Sequence, residues 1–387
     1  MAGAVTLKDV AREAGVHYST ASRALDPRTG HLVNSKTAAR IHRAATKLGY
    51  RRDMVARSLR VGATMTIGVV VPDLANPAWA PLLHGVATYL ERRGYEALIG
   101  ETQDDNDRYG RLLDRLARWR VDAIISAATR LSDRPMLKKF IRNRLPVVLA
   151  VRSVPGSRLP TVTDDGAKGG ALAAQHLAAL GHKVVAQLEG PADVLTFSDR
   201  ASGFRLTAKE SGMAVQDRYP RAQAPTYQEG FRLMQELLRS DGPTPTGVFV
   251  HNDLMAIGAI DAITAAGLEC PGDVSIIGYN DSAFVDHLHV PLSTVRFFAK
   301  EIGDLAAESA MRMLDHPDAA PISVAVPPVL VPRSSTGPAL TGRSADRVLS
   351  EGSDRPSQET IHAARAAGTD EYRRPHRQWL VSPNRHK

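Results

Sequence analysis

Short β-branched runs, each followed by a stretch with helical periodicity, recur from residue 64 onward. These runs are IGVVV at 67–71, AII at 123–125, PVVLA at 146–150, VVAQLEG at 184–190, GVFV at 247–250 and VSIIGY at 274–279. Parallel strands need long crossover connections, usually helices, so this alternation predicts parallel α/β architecture. The series is too long for one sheet, and the sequence therefore predicts two parallel sheets with flanking helices.

Residues 6–25, TLKDVAREAGVHYSTASRAL, have a different period. Thr6 suits the N-cap of a first helix and Gly15 suits its end, because glycine tolerates positive φ. The apolar face of this helix is formed by Leu7, Val10, Ala11 and Ala14. A second helix follows Val16, and its Ala21, Ala24 and Leu25 can pack back on the first. The stretch is thus predicted to be two helices joined by a tight turn.

The second helix leaves Tyr18, Ser19, Ser22 and Arg23 on its outward face, with no acid before Asp26. A phenol, two hydroxyls and a guanidinium can meet base edges and phosphates on the floor of a DNA major groove. The alternative is an ordinary helical hairpin with a polar face.

The positive charge of the chain is concentrated at its beginning. The formal net charge is +8, and residues 1–62 alone hold 12 Lys plus Arg against 4 Asp plus Glu. Such a local basic excess is typical of phosphate binding, whereas a merely soluble basic protein would spread its cations. Nucleic acid is the predicted partner.

Composition excludes other classes of protein. With 387 residues, 43% of them hydrophobic, the chain can bury a large core and should form more than one domain. Cys270 is the only cysteine, so no disulfide framework or cysteine metal cluster is expected. No signal peptide or membrane-spanning run is recognised, and the predicted location is the cytoplasm.

The basic module continues beyond the hairpin. Residues 26–33 are predicted to be a loop, Asn34 to cap a third helix, and Gly49 to end it. The apolar face of that helix holds Ala38, Ile41, Ala45 and Leu48. In RRDMVARSLRVG, at 51–62, Asp53 can cap a short hinge helix, which should fold only when docked because helices below about 12 residues are marginal in water.

Residues 5–62 resemble the DNA-binding headpiece and hinge of the lactose repressor family of bacterial transcription regulators. The resemblance is carried by TLKDVAREAGV, TASRAL, LGY at 48–50 and ARSL at 56–59. It implies that Tyr18, Ser19 and Arg23 read bases and that Leu59 wedges into the minor groove, beside Arg57. The phosphate contacts implied are Thr6, Thr20, Ser22, Asn34, Thr37 and Tyr50.

The headpiece departs from the family pattern in three places. His17 stands where the family usually has a serine N-cap, the loop at 26–33 is longer, and Arg52 and Asp53 replace the usual Pro-Asn. These differences bear on the operator sequence.

The resemblance extends over the α/β region through DLANPAW, HLAALGH, HNDLMAIGAIDAITAAGLECPGDVSIIGYNDS and PLSTV. It implies two lobes like those of periplasmic sugar-binding proteins, with crossings near 161–163, 291–293 and 322–324. The expected domains are a helix-turn-helix headpiece at 1–50, a hinge at 51–62, an N-terminal lobe at 63–162 and 292–323, a C-terminal lobe at 163–291 and 324–335, and a tail at 336–387.

Ligands of open α/β sheets bind outside the carboxyl ends of the strands, which here means a cleft between the lobes. The effector residues implied by the resemblance are Trp79, Asp164, Thr196, Arg200, Asn252, Asn280 and Phe297. Arg200 is the expected anchor for a hydroxyl or carboxylate, and Asn280 replaces the family's usual acid. Asp253 and Asp281 lie nearby but are alternatively helix caps, and Trp79 is alternatively core.

Other motifs are weak. Gly166, Gly169 and Gly170 do not form a dinucleotide fingerprint, and no phosphate loop is present. His287 and His289 lack further obvious ligands and are expected to face solvent. No nucleophile with a base and an orienting group is recognisable, so neither a metal, a cofactor nor catalysis is expected.

Residues 336–387 mix Arg, Asp, Ser, Pro and Gly and are predicted to be largely disordered. No leucine heptad appears there, so a dimer through the core is expected. The hypothesis is a transcriptional repressor whose affinity for a pseudo-palindromic operator is set by a small, sugar-like metabolite between the lobes. The alternatives are an α/β enzyme acting on a sugar or nucleotide, with a basic arm, and a solute-binding protein.

Overall fold

The computed structural model describes residues 5–26, 29–50, 63–216 and 221–339. The predicted hinge helix, with Arg57 and Leu59, lies outside these residues, as does the chain beyond residue 339.

The basic module is a three-helix bundle, as predicted. Its helices are α1 (Leu7–Glu13), α2 (Tyr18–Ala24) and α3 (Ser35–Leu48). Thr6 caps α1 in a capping box with Asp9, and Gly15 and Gly49 follow α1 and α3 with φ of +58° and +64°. Val10, Ala21 and Ile41 are fully buried between the helices.

The α/β region begins at Thr66. Its strands are β1 (Thr66–Val71), β2 (Glu96–Glu101), β3 (Ala123–Ser126), β4 (Val147–Ala150), β5 (Thr161–Asp164), β6 (Val184–Leu188), β7 (Ala214–Gln216), β8 (Gly247–Val250), β9 (Ser275–Asn280), β10 (Ser293–Arg296), β11 (Ser323–Val326) and β12 (Val329–Val331). Its helices are α4 (Trp79–Arg92), α5 (Asn106–Arg118), α6 (Arg134–Arg142), α7 (Gly166–Ala179), α8 (Leu195–Glu210), α9 (Tyr227–Arg239), α10 (Asp253–Ala265) and α11 (Ala299–Asp315).

These strands form two six-stranded sheets, one in each lobe. The first lobe has the order β11-β5-β4-β3-β1-β2, all parallel, and the second has β12-β10-β9-β8-β6-β7. The edge strand β12 runs antiparallel to β10. Every other described strand pair is parallel, so the prediction of two parallel sheets with flanking helices is confirmed.

The chain crosses between the lobes after β5, after β10 and between β11 and β12. The crossings therefore lie at 164–166, 296–299 and 326–329, each later than predicted. The predicted ranges fall within or just before β5, β10 and β11, because each of these strands runs to the carboxyl edge of its sheet before the chain leaves it. Residues 293–296, expected in the N-terminal lobe, belong to the second sheet, and residues 324–326, expected in the C-terminal lobe, belong to the first.

The glycines at the start of α7 allow close packing. A Cβ on Gly170 would lie 2.0 Å from the Arg200 carbonyl oxygen of α8, and one on Gly169 would lie 2.4 Å from the Tyr279 hydroxyl oxygen. The missing side chains thus bring α8 and Tyr279 close to the end of β5, where the cleft begins.

The predicted tail starts later than expected. The Thr336 hydroxyl lies 2.9 Å from the Ser293 hydroxyl and 2.9 Å from His176 Nε2, and the Ala339 amide donates to the Leu180 carbonyl. Residues 336–339 are therefore held on the second lobe, because hydroxyls and backbone groups of that lobe satisfy their hydrogen bonds. In the described part of the chain, no helix combines the length and apolar character needed to cross a bilayer.

Candidate functional site

The exposed side of α2 carries the side chains predicted to read bases. Tyr18 and Arg23 are exposed and Ser19 is half-buried, while Ala21 and Ala24 on the opposite side are buried against α1 and α3. The amphipathic pattern of this helix therefore leaves a polar surface of one phenol, one guanidinium and several hydroxyls.

His17 takes over the role of the expected serine N-cap. Its Nδ1 accepts a hydrogen bond from the Ser19 amide at 3.3 Å and lies 2.8 Å from the Ser19 hydroxyl oxygen. A nitrogen that accepts the amide proton is itself unprotonated, so the hydroxyl can also donate to it. Ser19 would then present only lone pairs outward.

Most of the side chains predicted to hold phosphates lie near the starts of helices, but Tyr50 follows the end of α3. The Thr6 hydroxyl donates to the Asp9 carboxylate at 2.7 Å, and Asn34 Oδ1 accepts from the Lys36 amide at 3.0 Å. Thr20, Ser22, Thr37 and Tyr50 are half-buried. Thr6 and Asn34 thus cap helices, and the Asn34 side-chain NH2 group keeps its donors.

A cavity of about 390 Å³ lies between the lobes, at the carboxyl ends of the strands. Its lining includes six of the seven predicted effector residues, namely Trp79, Thr196, Arg200, Asn252, Asn280 and Phe297. The seventh, Asp164, is buried and is not part of the lining.

Arg200 projects from α8 and is only 3% exposed. Its Nη1 donates to the His251 carbonyl at 2.6 Å, and its Nη2 lies 3.6 Å from Asp164 Oδ2. The guanidinium carbon stands 3.5 Å from the centre of the Tyr279 ring, while Nε has no partner among the described residues. The predicted anchor is therefore rigidly held and keeps one N–H donor unused.

Asp164 acts on the cleft through its neighbours. The Tyr279 hydroxyl donates to Asp164 Oδ2 at 2.5 Å, and burial, together with the charge of Asp164, raises the pKa of Tyr279 well above its usual value. Burial and the charge of Arg200 lower the pKa of His251, which stays neutral. Asp164 thus balances the charge of Arg200 from behind.

The first lobe contributes residues that the sequence reasoning missed. Asp104 accepts from Arg152 through both oxygens, at 2.5 and 3.1 Å, and both residues line the cavity. Burial opposes ionisation of Asp104, yet Arg152 and Arg130 hold its pKa below the usual value. Arg152 follows the predicted strand β4, so the carboxyl-end rule could have found it. Further unpredicted lining residues are Asp73, Asn76, Glu101, Gln103, Phe197 and Thr226.

Two aspartates described as alternative helix caps have other roles. Asn252 is the N-cap of α10, accepting from the Met255 amide at 2.7 Å, whereas Asp253 accepts from the Ser282 amide and the Thr294 hydroxyl. Asp281 pairs with Arg296 and Arg333. Both cap interpretations are wrong, because these carboxylates instead fix the loop after β9. Trp79 is both buried and part of the lining.

Direct contacts join the two lobes beside the cavity. Arg130 of the first lobe pairs with Asp193 of the second at 2.6 Å. The Thr196 hydroxyl donates across the cleft to the Val151 carbonyl at 3.0 Å. The lobes are thus held together on the rim where a ligand would enter.

Both arginines on the cavity wall are neutralised within the protein. Arg152 is paired with Asp104, and Arg200 faces Asp164. Trp79 offers a buried indole Nε1 with no partner in the described part of the chain. Aromatic surfaces, unused N–H donors and balanced charges suit a neutral, oxygen-rich ligand.

Comparison with family models gives two matches. Residues 6–53 match the bacterial regulatory proteins, lacI family, and residues 174–336 match a periplasmic binding protein-like domain. The first match falls on the helical bundle. The second covers most of the second lobe together with α11 and β11 of the first lobe.

Known proteins resemble nearly the whole chain. It is 32% identical over 332 residues to the HTH-type transcriptional repressor PurR of Mannheimia succiniciproducens, covering 85% of this chain and 98% of that protein. The lac repressor dimer bound to operator and the anti-inducer ONPF is 25% identical, with a TM-score of 0.76 over 87% of this chain and all of that one. The complex of the transcriptional regulator CelR with cellobiose is 26% identical, with a TM-score of 0.63 over 86% of this chain and 99% of that one.

Proposed function

Because the chain belongs to the lacI family of bacterial regulatory proteins, we propose that it binds a pseudo-palindromic operator as a homodimer and that a neutral sugar in the cleft sets its operator affinity. It is a DNA-binding transcriptional repressor whose core takes a small-molecule effector. The observation that carries the finer proposal is the cavity between the lobes, in which both lining arginines already face an aspartate.

The charge balance favours a neutral ligand over a carboxylate or phosphate. Each guanidinium on the lining already faces an acid, and Asp73 and Glu101 add negative charge to the wall. An anionic ligand would gain little from Arg152 or Arg200 and would meet these carboxylates. Sugar hydroxyls can instead accept from the Trp79 indole and Arg200 Nε and donate to the carboxylates. The cellobiose complex of CelR supports this class of ligand.

Tyr18, Ser19 and Arg23 are proposed to read bases in the major groove, and the hydroxyls and amides near the helix starts to hold phosphates. The two-fold symmetry of a dimer requires two half-sites, hence the pseudo-palindrome. The support is the exposed polar side of α2 in a compact bundle. Since the target is chromosomal DNA, the protein is placed in the cytoplasm.

Regulation, and not turnover of the ligand, is the proposed role of the cleft. A ligand shifts DNA affinity only if it binds the two arrangements of the lobes differently. Thr196 and Arg130 both make contacts across the cleft, so opening it would break these bonds. A sugar that bridges the walls would favour one arrangement.

The test is selection of genomic fragments with the purified full chain, followed by operator titrations with a panel of neutral mono- and disaccharides beginning with cellobiose. We expect a palindromic site to be enriched and at least one sugar to change its affinity. Failure to enrich any palindrome, with and without sugars, would refute the DNA-binding proposal. An operator insensitive to every sugar but sensitive to an anionic metabolite would refute the ligand class.

Trp79→Phe tests the cleft directly. The variant keeps an aromatic ring but removes the unpartnered indole N–H together with two ring carbons of the buried side chain. We expect sugar affinity to fall by roughly five- to tenfold, the value of one hydrogen bond, while operator affinity without sugar stays the same. Unchanged sugar affinity would place the ligand elsewhere.

A further inference from the structure

The loops that enter β3, β4 and β5 carry exposed arginines, and together they are called the amino edge of the first lobe. These loops span residues 118–122, 142–146 and 155–160, and their arginines are Arg118, Arg120, Arg142, Arg144 and Arg158. Asp122 is the one acid in them, and it accepts hydrogen bonds from the Thr64 and Met65 amides. The edge therefore has a clear excess of positive charge.

Three of these arginines have an unusual backbone. Arg120, Arg144 and Arg158 have φ of +58°, +55° and +59°, in the left-handed region that favours glycine. Each stands three residues before its strand begins. Throughout the described ranges, no ion pair or hydrogen bond involves any of the three guanidinium groups. Neither local geometry nor an internal partner accounts for arginine at these positions.

The corresponding loops of the second lobe differ. Gly267 holds the left-handed position before β9, where the first lobe has Arg144 before β4, whereas Gly94 and Gly212 hold it before β2 and β7 alike. The loops entering β8, β9 and β10, which correspond by sheet order to those entering β3, β4 and β5, contain Asp241, Glu269, Asp273 and Asp286 but no Lys or Arg over residues 240–246, 266–274 and 286–292. The positive edge is thus a property of the first lobe and not of the fold.

The chain joins the headpiece to the core at this same edge. The Thr64 hydroxyl donates to the Arg120 carbonyl at 2.9 Å, and β1 starts beside β3. The segment between residues 50 and 63 can span at most about 45 Å, so the headpiece is tethered close to these arginines. An edge facing DNA-bound headpieces would be near the phosphates that flank the operator.

We propose that the amino edge of the first lobe, through Arg120, Arg144 and Arg158, is a second DNA-contact surface that binds backbone phosphates beside the operator. The inference rests on the proposed function. Arginine suits this task, because its planar guanidinium stays charged and pairs with phosphate oxygens. Such contacts add affinity and salt dependence without reading sequence.

A small phosphate compound is the competing ligand. Arg144, Arg158 and Arg312 line a recess of about 320 Å³, together with one acid, Asp318. Arg120 lies outside that recess, and the basic loops extend along three adjacent strands. This extended arrangement favours a polyanion over a compact anion.

The test is the full chain with Arg120→Gly, Arg144→Gly and Arg158→Gly combined. Glycine suits the backbone at each position, so the variant should melt no lower than the wild type. We expect the slope of log K against log salt concentration to become shallower by about five, since each phosphate contact contributes about 0.9 and the proposed dimer carries the three arginines on both protomers. Affinities for operator and non-operator DNA should fall by similar factors.

The matched control removes three exposed cations of the second lobe, with Lys183→Gln, Lys209→Gln and Arg239→Gln. It should keep the wild-type slope. The proposal would be overturned if the triple-glycine variant kept the wild-type salt slope, or if the slope of the control variant became shallower by as much as that of the triple-glycine variant. A second result would also overturn it: the salt slope of the triple-glycine variant is unchanged, and inorganic pyrophosphate raises the Tm of the wild type but not of that variant. This result would assign the edge to a small anion. A wild type that binds no DNA would refute the proposed function itself.

Discussion

The two lobes share one plan but close their helix-to-strand turns differently. In the second lobe, His182 donates its amide to the Leu177 carbonyl at 3.1 Å around Gly181. In the first, Val121 donates to Leu116 at 3.2 Å around Arg120. The same C-terminal motif thus holds arginine at two turns of the first lobe, at Arg120 and Arg144, and glycine at Gly94, whereas the second-lobe turns that adopt this motif hold glycine. A non-glycine residue at this position costs roughly 1–2 kcal/mol. The comparison indicates that the first lobe retains charge at this edge at the expense of stability.

At the cleft the two lobes are instead alike. Each contributes a buried arginine, Arg152 from the first and Arg200 from the second, and each guanidinium faces an aspartate. The arginines at the inner ends of the sheets are therefore paired in both lobes, while the outer ends differ in charge. A neutral ligand inside and a polyanion outside fit this division.

The largest effect expected is at the buried pair of the cleft. Arg200→Met would leave Asp164 buried without its cation, and we expect the free energy of unfolding, measured in urea, to fall by about 3–5 kcal/mol. The double variant Asp164→Asn with Arg200→Met should recover most of the loss, because no charge is then left unpaired. Arg296→Met is the control, since Arg296 is exposed and its partner Asp281 keeps Arg333. If Arg200→Met lowered the free energy of unfolding by less than about 1 kcal/mol, Asp164 and Arg200 would not depend on each other for charge compensation.

The next effect distinguishes the lobes by pH. Burial raises the pKa of Asp253 in the second lobe to about 6 from its usual 3.8. The folded protein therefore gains a proton that the unfolded chain does not bind as pH falls through 6, and its stability rises there. Relative to Asp253→Asn, the wild type should gain about 1 kcal/mol in the free energy of unfolding between pH 7 and pH 5.

Asp104 of the first lobe provides the contrasting case. Its folded pKa is lowered, so its stabilisation is present above its usual pKa and is lost only as pH falls through the lower folded value. Asp104→Asn should therefore show the wild-type pH dependence between pH 7 and pH 5. The measured quantity is the difference in the free energy of unfolding between the wild type and each variant. A difference that does not change between pH 7 and pH 5 for Asp253→Asn, or one that does change for Asp104→Asn, would contradict these assignments.

The smallest effect exchanges the turn residues themselves. A Cβ on Gly267 would have no atom within 4 Å, so Gly267→Ala tests the backbone alone. We expect it to lower the free energy of unfolding by about 1 kcal/mol and Arg120→Gly to raise it by about 0.5 kcal/mol, both by urea titration. If Arg120→Gly destabilised the protein, the arginine would have a structural role and the comparison between the lobes would lose its meaning.

Much of the architecture could be predicted because buried parallel strands are rich in β-branched residues. Each predicted run forms a strand, but six further strands, β2, β5, β7, β10, β11 and β12, were missed. Four of these, β2, β7, β11 and β12, lie at sheet edges and are largely exposed or half-buried, whereas β5 and β10 are interior strands of only four residues that contain Thr, Ser, Asp and Arg. Missing β2 also concealed Gln103 and Asp104, which follow it into the cleft.

The candidate site was predictable to the extent that the carboxyl-end rule applies. That rule, together with the family resemblance, placed Trp79, Arg200 and Asn280 on one cavity. It could not distinguish Asp164, which ends a strand but lies behind Arg200. Arg120 and Arg144 were invisible because helix ends in the left-handed conformation are recognised in sequence by glycine, and tertiary structure imposes that conformation here on arginine.

The most direct test is the affinity of the full chain for its selected operator, titrated at fixed salt with and without a saturating neutral sugar that binds the cleft. Linkage requires the sugar to change the operator dissociation constant, and saturating operator must change the sugar dissociation constant by the same factor. We expect that factor to be at least about fivefold, the lower end of typical allosteric coupling. A sugar that binds the cleft tightly while leaving operator affinity unchanged would contradict the account.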